Sequence, residues 1–153
     1  MKRKYGVNGT IGPAFRFTWA ETTCTDGTKI PTAYRSRAVK SGRALNKLRK
    51  RVAKRYGVKF TDVSINVNSW YRSPAYNKKI GGATFSQHVE GRATDVTVHV
   101  NGHGKVHPGR VAEIAAQVPE FASGGIGWYD EKHGSFTHVD TRPNGPARWI
   151  NKG

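Results

Sequence analysis

Ser86-Gln87-His88-Val89-Glu90-Gly91-Arg92-Ala93-Thr94-Asp95-Val96-Thr97-Val98-His99-Val100 is the stretch from which the fold is read. Val96, Val98 and Val100 alternate with other residues, which predicts a half-buried strand at about 93–100. Asp95 then lies on the face opposite the valines, and His88 sits on the loop seven residues before it. Phe136-Thr137-His138-Val139-Asp140 predicts another strand, about 135–141, on which His138 and Asp140 share a face. If the two strands are neighbours, Asp95 and His138 can meet, and His88 can close a three-residue group. Two imidazoles and a carboxylate are ligands that a hydrolytic zinc site uses, with one position left for water. A lone His is more often a hydrogen-bonded residue than a ligand, so the pattern alone leaves both readings open.

Outward from this stretch, Val63, Ile65 and Val67 alternate in a further strand, 62–70. Residues 71–92 read as a long Gly-, Ser- and Asn-rich connection, of the kind that is either functional or disordered. Residues 101–109 form a Gly/His loop, and Val111, Ile114, Ala115 and Val118 predict a short helix at 109–118, limited by Pro119. Gly124-Gly125 makes a turn into a strand at 125–129, and the tail is polar except for Trp149 and Ile150. Leu45, Leu48, Val52 and Tyr56 recur at helical steps, predicting an amphipathic helix at 41–56 with Gly57 as its C-terminal cap. Helix and strands mixed in 153 residues predict one α+β domain over residues 1–153.

The chain has 26 Lys plus Arg against 10 Asp plus Glu, a net charge of +16. Residues 1–60 hold sixteen of the cations and only Glu21 and Asp26 as acids, so this portion is basic. Arg43, Lys47, Lys50, Arg51, Lys54 and Arg55 surround the apolar stripe of the helix. Such a surface is either a solvated face or a footprint for a polyanion, nucleic acid or anionic cell wall, between which charge does not discriminate. No run approaches the ~18 apolar residues of a membrane span. The basic start Met1-Lys2-Arg3-Lys4 is not followed by an apolar region and cleavage site. Cytoplasmic synthesis, with release by other means, is therefore expected. The single cysteine, Cys24, excludes an internal disulfide and reads as a small buried residue.

Ser86-x-His88-x-x-Gly91-x-Ala93-x-Asp95, followed by His138-x-Asp140, resembles the zinc D-alanyl-D-alanine carboxypeptidase family of the hedgehog/DD-peptidase superfamily, which includes phage endolysins. Trp70-Tyr71-Arg72-Ser73-Pro74-Ala75-Tyr76-Asn77 is similar to that family's Tyr-Arg-Ser-Pro segment. Gly81-Gly82-Ala83, Gly125-Ile126-Gly127-Trp128-Tyr129 and His138-Val139-Asp140-Thr141-Arg142-Pro143 add to the likeness, which covers about residues 61–150.

The resemblance implies a small antiparallel sheet flanked by helices. It implies zinc (Zn2+) bound by His88, Asp95 and His138, and hydrolysis of peptidoglycan stem peptides as carboxypeptidase or endopeptidase. Arg72 would face the substrate and its developing oxyanion, and Ser86 would contact substrate or shape the turn before His88. The implied partner is the anionic bacterial wall, met by a monomer acting like a phage lysin after host lysis. One departure stands out. Several members place a catalytic carboxylate three residues before the last His, and here that position is Ser135. Asp140 is the nearest substitute as general base, or else it orients His138, with Asp130, Glu131 and His133 as alternatives. His99, His103 and His107 are spaced by four, but Gly102, Gly104 and Pro108 interrupt any helix there, so they read as loop residues. His99 shares the strand face of Asp95. A contrasting reading is a basic polyanion-binding or virion protein that keeps a zinc site without turnover.

Overall fold

A computed structural model describes residues 17–152. The basic start at Met1–Lys4, and the reading built on it, lie outside the described residues. The elements run α1 (Trp19–Thr22), α2 (Arg35–Tyr56), β1 (Val63–Ser69), α3 (Pro74–Lys79), β2 (Ala93–Val100), β3 (Gly104–Lys105), α4 (Pro108–Ala115), α5 (Pro119–Ala122), β4 (Gly125–Tyr129), β5 (Phe136–Asp140) and β6 (Ala147–Ile150). This is the expected α+β class.

The sheet order is β1-β2-β5-β4-β6, with β3 pairing β2 at one end. The β1–β2, β2–β5 and β4–β5 pairs are antiparallel, and β4–β6 is parallel. The sheet is thus mixed, with an antiparallel centre and one parallel edge strand that comes from the polar tail. Parallel strands need a long crossover connection, and residues 130–146, with β5 among them, make the one from β4 to β6.

Alternation on β2 sorts its side chains. Val96, Val98 and Val100 are fully buried in the core with Leu45, Leu48 and Val52 of α2. Each such side chain contributes about 1.5–3 kcal/mol when buried. The helix begins at Arg35, earlier than its apolar stripe, and ends where Gly57 adopts a left-handed φ of 65° and donates its N–H to the Ala53 and Lys54 carbonyls. Helix α2 packs on β1 and β2, and α4 packs on β4 and β5. The opposite face of β2 and β5 is left for polar side chains, and Asp95 lies directly across from His138 in the register.

The long connection 71–92 is not wholly irregular. Pro74 opens α3 at its first turn, and Ser73 Oγ accepts the Tyr76 N–H at 3.1 Å as an N-terminal cap. Among the described residues no helix is long and apolar enough to cross a membrane.

Candidate metal centre

Three buried side chains, His88, Asp95 and His138, each present one ligand atom within 4.8 Å of the others. Two lie opposite each other on β2 and β5, and the third comes from the turn that leads into β2. That turn is built locally. Ser86 Oγ accepts the His88 N–H at 3.2 Å, and the Arg72 N–H and Gly91 N–H both reach the His88 carbonyl at 3.1 Å. Gly91 has a φ of +73°, and a Cβ there would stand 3.0 Å from Tyr34 Cβ, so both conformation and space favour glycine.

Each imidazole is oriented from behind. His88 Nδ1–H donates to the Trp70 carbonyl at 2.7 Å, which aims Nε2 toward Asp95. His138 Nε2–H donates to Asp140 Oδ2 at 2.7 Å, which turns Nδ1 toward Asp95 Oδ1 at 3.1 Å. Acceptors behind the rings in this way set tautomer and aim in metal sites. His88 Nε2 is buried without a hydrogen-bond partner, although Asp95 Oδ2 stands 3.1 Å away. The proximity lacks the angle of a hydrogen bond, so the nitrogen is an orphan that a cation would satisfy. Two nitrogen donors and a carboxylate around one point fit a divalent transition metal.

The electrostatics are steep. Burial pushes the Asp95 carboxyl up, but the His88 and His138 rings outweigh it and hold the group well below the usual carboxylate range. Burial opposes charge on His138, yet Asp140 and Asp95 together push its pKa up to about 9. Asp140 is itself raised by burial and more than compensated by His138 and Arg142.

Asp140 is 0% exposed, and both its oxygens are taken. Oδ1 accepts from Gly125 N–H (2.8 Å), Arg142 N–H (3.0 Å) and Arg142 Nε (2.9 Å). Oδ2 accepts from His138 and from an Arg142 terminal nitrogen at 2.7 Å. The carboxylate anchors a ring and has no lone pair facing solvent.

The three ligand candidates open onto a cleft of about 620 Å3 that also takes in Arg72, Ser86, His133, Arg142, Phe85 and Trp149. Arg72 reaches Asn77 Oδ1 at 3.0 Å and Ser69 Oγ at 3.4 Å, and lies 3.7 Å from Asp95 Oδ2. A Cβ on Gly82 would meet Asn77 Oδ1 at 2.1 Å, so the glycine lets the loop close on the residue that holds Arg72. His133 Nδ1 is 2.7 Å from Asp130 Oδ1, and Glu131 is exposed beside them. Ser135 turns away from the cleft group, with its Oγ accepting from Lys105 Nζ at 2.7 Å.

The remaining histidines disperse. His99 faces Asn66 at 3.5 Å, His103 packs edge-on to Tyr56, and His107 caps α4 by accepting the Gly109 N–H at 3.0 Å. Among the described residues they make no second metal group. Cys24 is buried and free, beside Ser73.

At Trp149 the far wall of the cleft carries no motif in the sequence. The Trp149 ring lies 5.0 Å from the His138 ring, and Trp149 Nε1–H donates to Tyr129 Oη at 2.8 Å. Gly127 in mid-strand was the available signal, because glycine inside a strand marks a close approach. A Cβ there would stand 2.1 Å from the Trp149 indole. Arg142, two residues after Asp140, was likewise read only as part of a motif.

A buried His-Asp-His group that could hold a metal ion thus opens onto a cleft, with an arginine alongside. The sequence profile of the Peptidase M15 family matches residues 15–140, and the chain belongs to that family. No curated protein matches the chain closely enough to add to this.

Proposed function

We propose that the protein is a zinc-dependent peptidase that hydrolyses peptide bonds in peptidoglycan stem peptides, in the manner of lysins that degrade bacterial walls. The observation that carries the metal dependence is the buried orphan His88 Nε2 facing Asp95 and His138. Family membership supports the peptidase chemistry. A zinc ion held by His88, Asp95 and His138 would supply Lewis acidity and a hydroxide nucleophile near neutral pH.

The chain's own groups then have separate tasks. The Arg72 fork donates to a substrate carboxylate or to the oxyanion that forms at the scissile carbonyl. Asp140 orients His138 and takes no proton from water, because its oxygens are saturated by Arg142, Gly125 and His138. The proton falls to His133, which lines the same cleft. Asp130 holds its Nδ1–H, leaving Nε2 to accept a proton from water and return it to the departing amine. Ser86 shapes the turn that carries His88.

The test is digestion of purified cell walls, followed as turbidity loss, with mass spectrometry of the released fragments to read which bond is cut. Activity should need zinc and vanish with chelator and with His88→Ala. Digestion that persists in both would sink the proposal.

A further inference from the structure

We infer that the solvent face of α2 is a docking rail for a linear phosphodiester polymer attached to the cell wall, a polyol phosphate of the teichoic-acid type. The 22-residue helix carries ten Lys and Arg residues and no acid. Three of them are engaged by carboxylates: Arg37 by Glu90, Lys47 by Glu120 and Arg55 by Glu113. Arg49 is buried in the core, where it donates to the Val63 carbonyl. Lys40, Lys50, Arg51 and Lys54 are exposed and have no ion pair within 4.0 Å among the described residues. Residues 1–16 contain no acid that could neutralise them.

This arrangement works against the helix. Arg35 and Arg37 sit in its first turn, where the helix dipole favours acids. Lys47–Arg51, Lys50–Lys54 and Arg51–Arg55 are like-charge neighbours at i, i+4. A solvated face gains nothing from such a pattern, whereas a polyanion relieves all of it at once.

The shape selects a polymer over a single headgroup. From Lys40 to Lys54 the cations run in a row roughly 21 Å long, at 1.5 Å per residue. Lys47, Lys50, Arg51 and Lys54 also line one side of a groove of about 470 Å3, closed opposite by Gln117, Val118 and Pro119. A single-stranded nucleic acid is the poorer fit, because its bases need stacking platforms. The exposed large hydrophobics among the described residues are Ile80, Phe85 and Ile150, none of them on α2.

The apolar side of α2 packs on the valine face of the sheet, while the His-Asp-His group occupies the opposite face. A wall polymer held on the back of the molecule leaves the cleft free for the peptide. The inference rests on the wall-hydrolase reading for its choice of polymer, but binding is measured apart from cleavage.

The experiment is co-sedimentation of the chelator-treated, full-length protein with walls carrying poly(glycerol phosphate), and with the same walls stripped of it. Stripping should weaken retention at least tenfold. The triple variant Lys50→Gln, Arg51→Gln, Lys54→Gln should lose at least tenfold in binding to intact walls and lower the log–log salt slope by about 2–3. Its cleavage of a soluble stem peptide should stay within twofold of the parent. A control that removes the same charge elsewhere, Lys29→Gln, Lys59→Gln, Lys78→Gln, should bind nearly as the parent. Equal losses in the two triple variants, retention indifferent to stripping, or tighter binding to duplex DNA than to intact walls at the same salt would each overturn the inference. Failure of stem-peptide cleavage by the parent would count against the peptidase reading and leave the binding result standing.

Discussion

His138 is gripped between two carboxylates, and the grip determines how a metal must enter. In the metal-free protein Asp140 and Asp95 hold the ring as an imidazolium, with its pKa up to about 9 from the usual 6.5. Because the folded value is the higher one, this contribution to stability is complete below about pH 6.5 and fades as pH rises through about 9. Asp95 and Asp140 behave oppositely. Their lowered values give stability above the ordinary carboxylate range, lost as pH falls below that range toward the lowered values. A metal needs the Nδ1 lone pair, so binding must expel a proton. Zinc titrated calorimetrically at pH 7 in buffers of different ionisation enthalpy should release about one proton per ion, and affinity should climb about tenfold per pH unit up to about pH 9. Binding with no proton release would contradict the arrangement. The division of labour between Asp140 and His133 is also testable at this scale. Asp140→Asn should weaken zinc affinity by about 10–100-fold. His133→Ala should keep its zinc and lose about 10²–10⁴ in kcat, with activity restored in part by added imidazole. A His133→Ala enzyme of undiminished kcat would remove that residue from the chemistry.

At the scale of elements, the β2–β5 pair was readable because strict alternation assigns a face to every residue. Asp95 and His138 could therefore meet if the strands were neighbours. That the strands pair in this register was not readable, since alternation says nothing about offset. The start of α2 was missed because Arg35, Ser36 and Arg37 carry no apolar stripe and Ala38 alone is buried there. Strand β6 was missed for a different reason. It is four residues long, Ile150 is 57% exposed, and its partner β4 is parallel, so neither burial nor a hairpin turn announces it. Yet β6 brings Trp149 to the His138 ring, through the space that Gly127 vacates. Gly127→Ala places a Cβ 2.1 Å from the Trp149 indole. The overpacking should cost about 1–3 kcal/mol of stability. It should also shift Trp emission and raise KM while zinc content is kept. Unchanged melting and emission would show that β6 does not pack on β4 in this way.

For the whole molecule, the tripod joins chain segments far apart in sequence: the turn at His88, strand β2 and strand β5, whose candidate ligands span residues 88 to 138. Without a cation, the centre keeps a buried orphan nitrogen and an ion cluster that burial itself opposes. Ligand that binds only the folded chain adds about 2.7 kcal/mol at a hundred times its Kd. For a chain of this length, about 2–4 °C per kcal/mol applies, so chelation should lower Tm by roughly 5–10 °C. The shift should follow zinc concentration logarithmically, and it should disappear in His88→Ala, where the tripod has lost an arm. Because His138 must be deprotonated to bind, the zinc-dependent part of Tm should grow from pH 6 to pH 8 even as the metal-free protein loses its imidazolium contribution. Equal melting with and without chelator across that range would mean that the three side chains hold one another and not a metal.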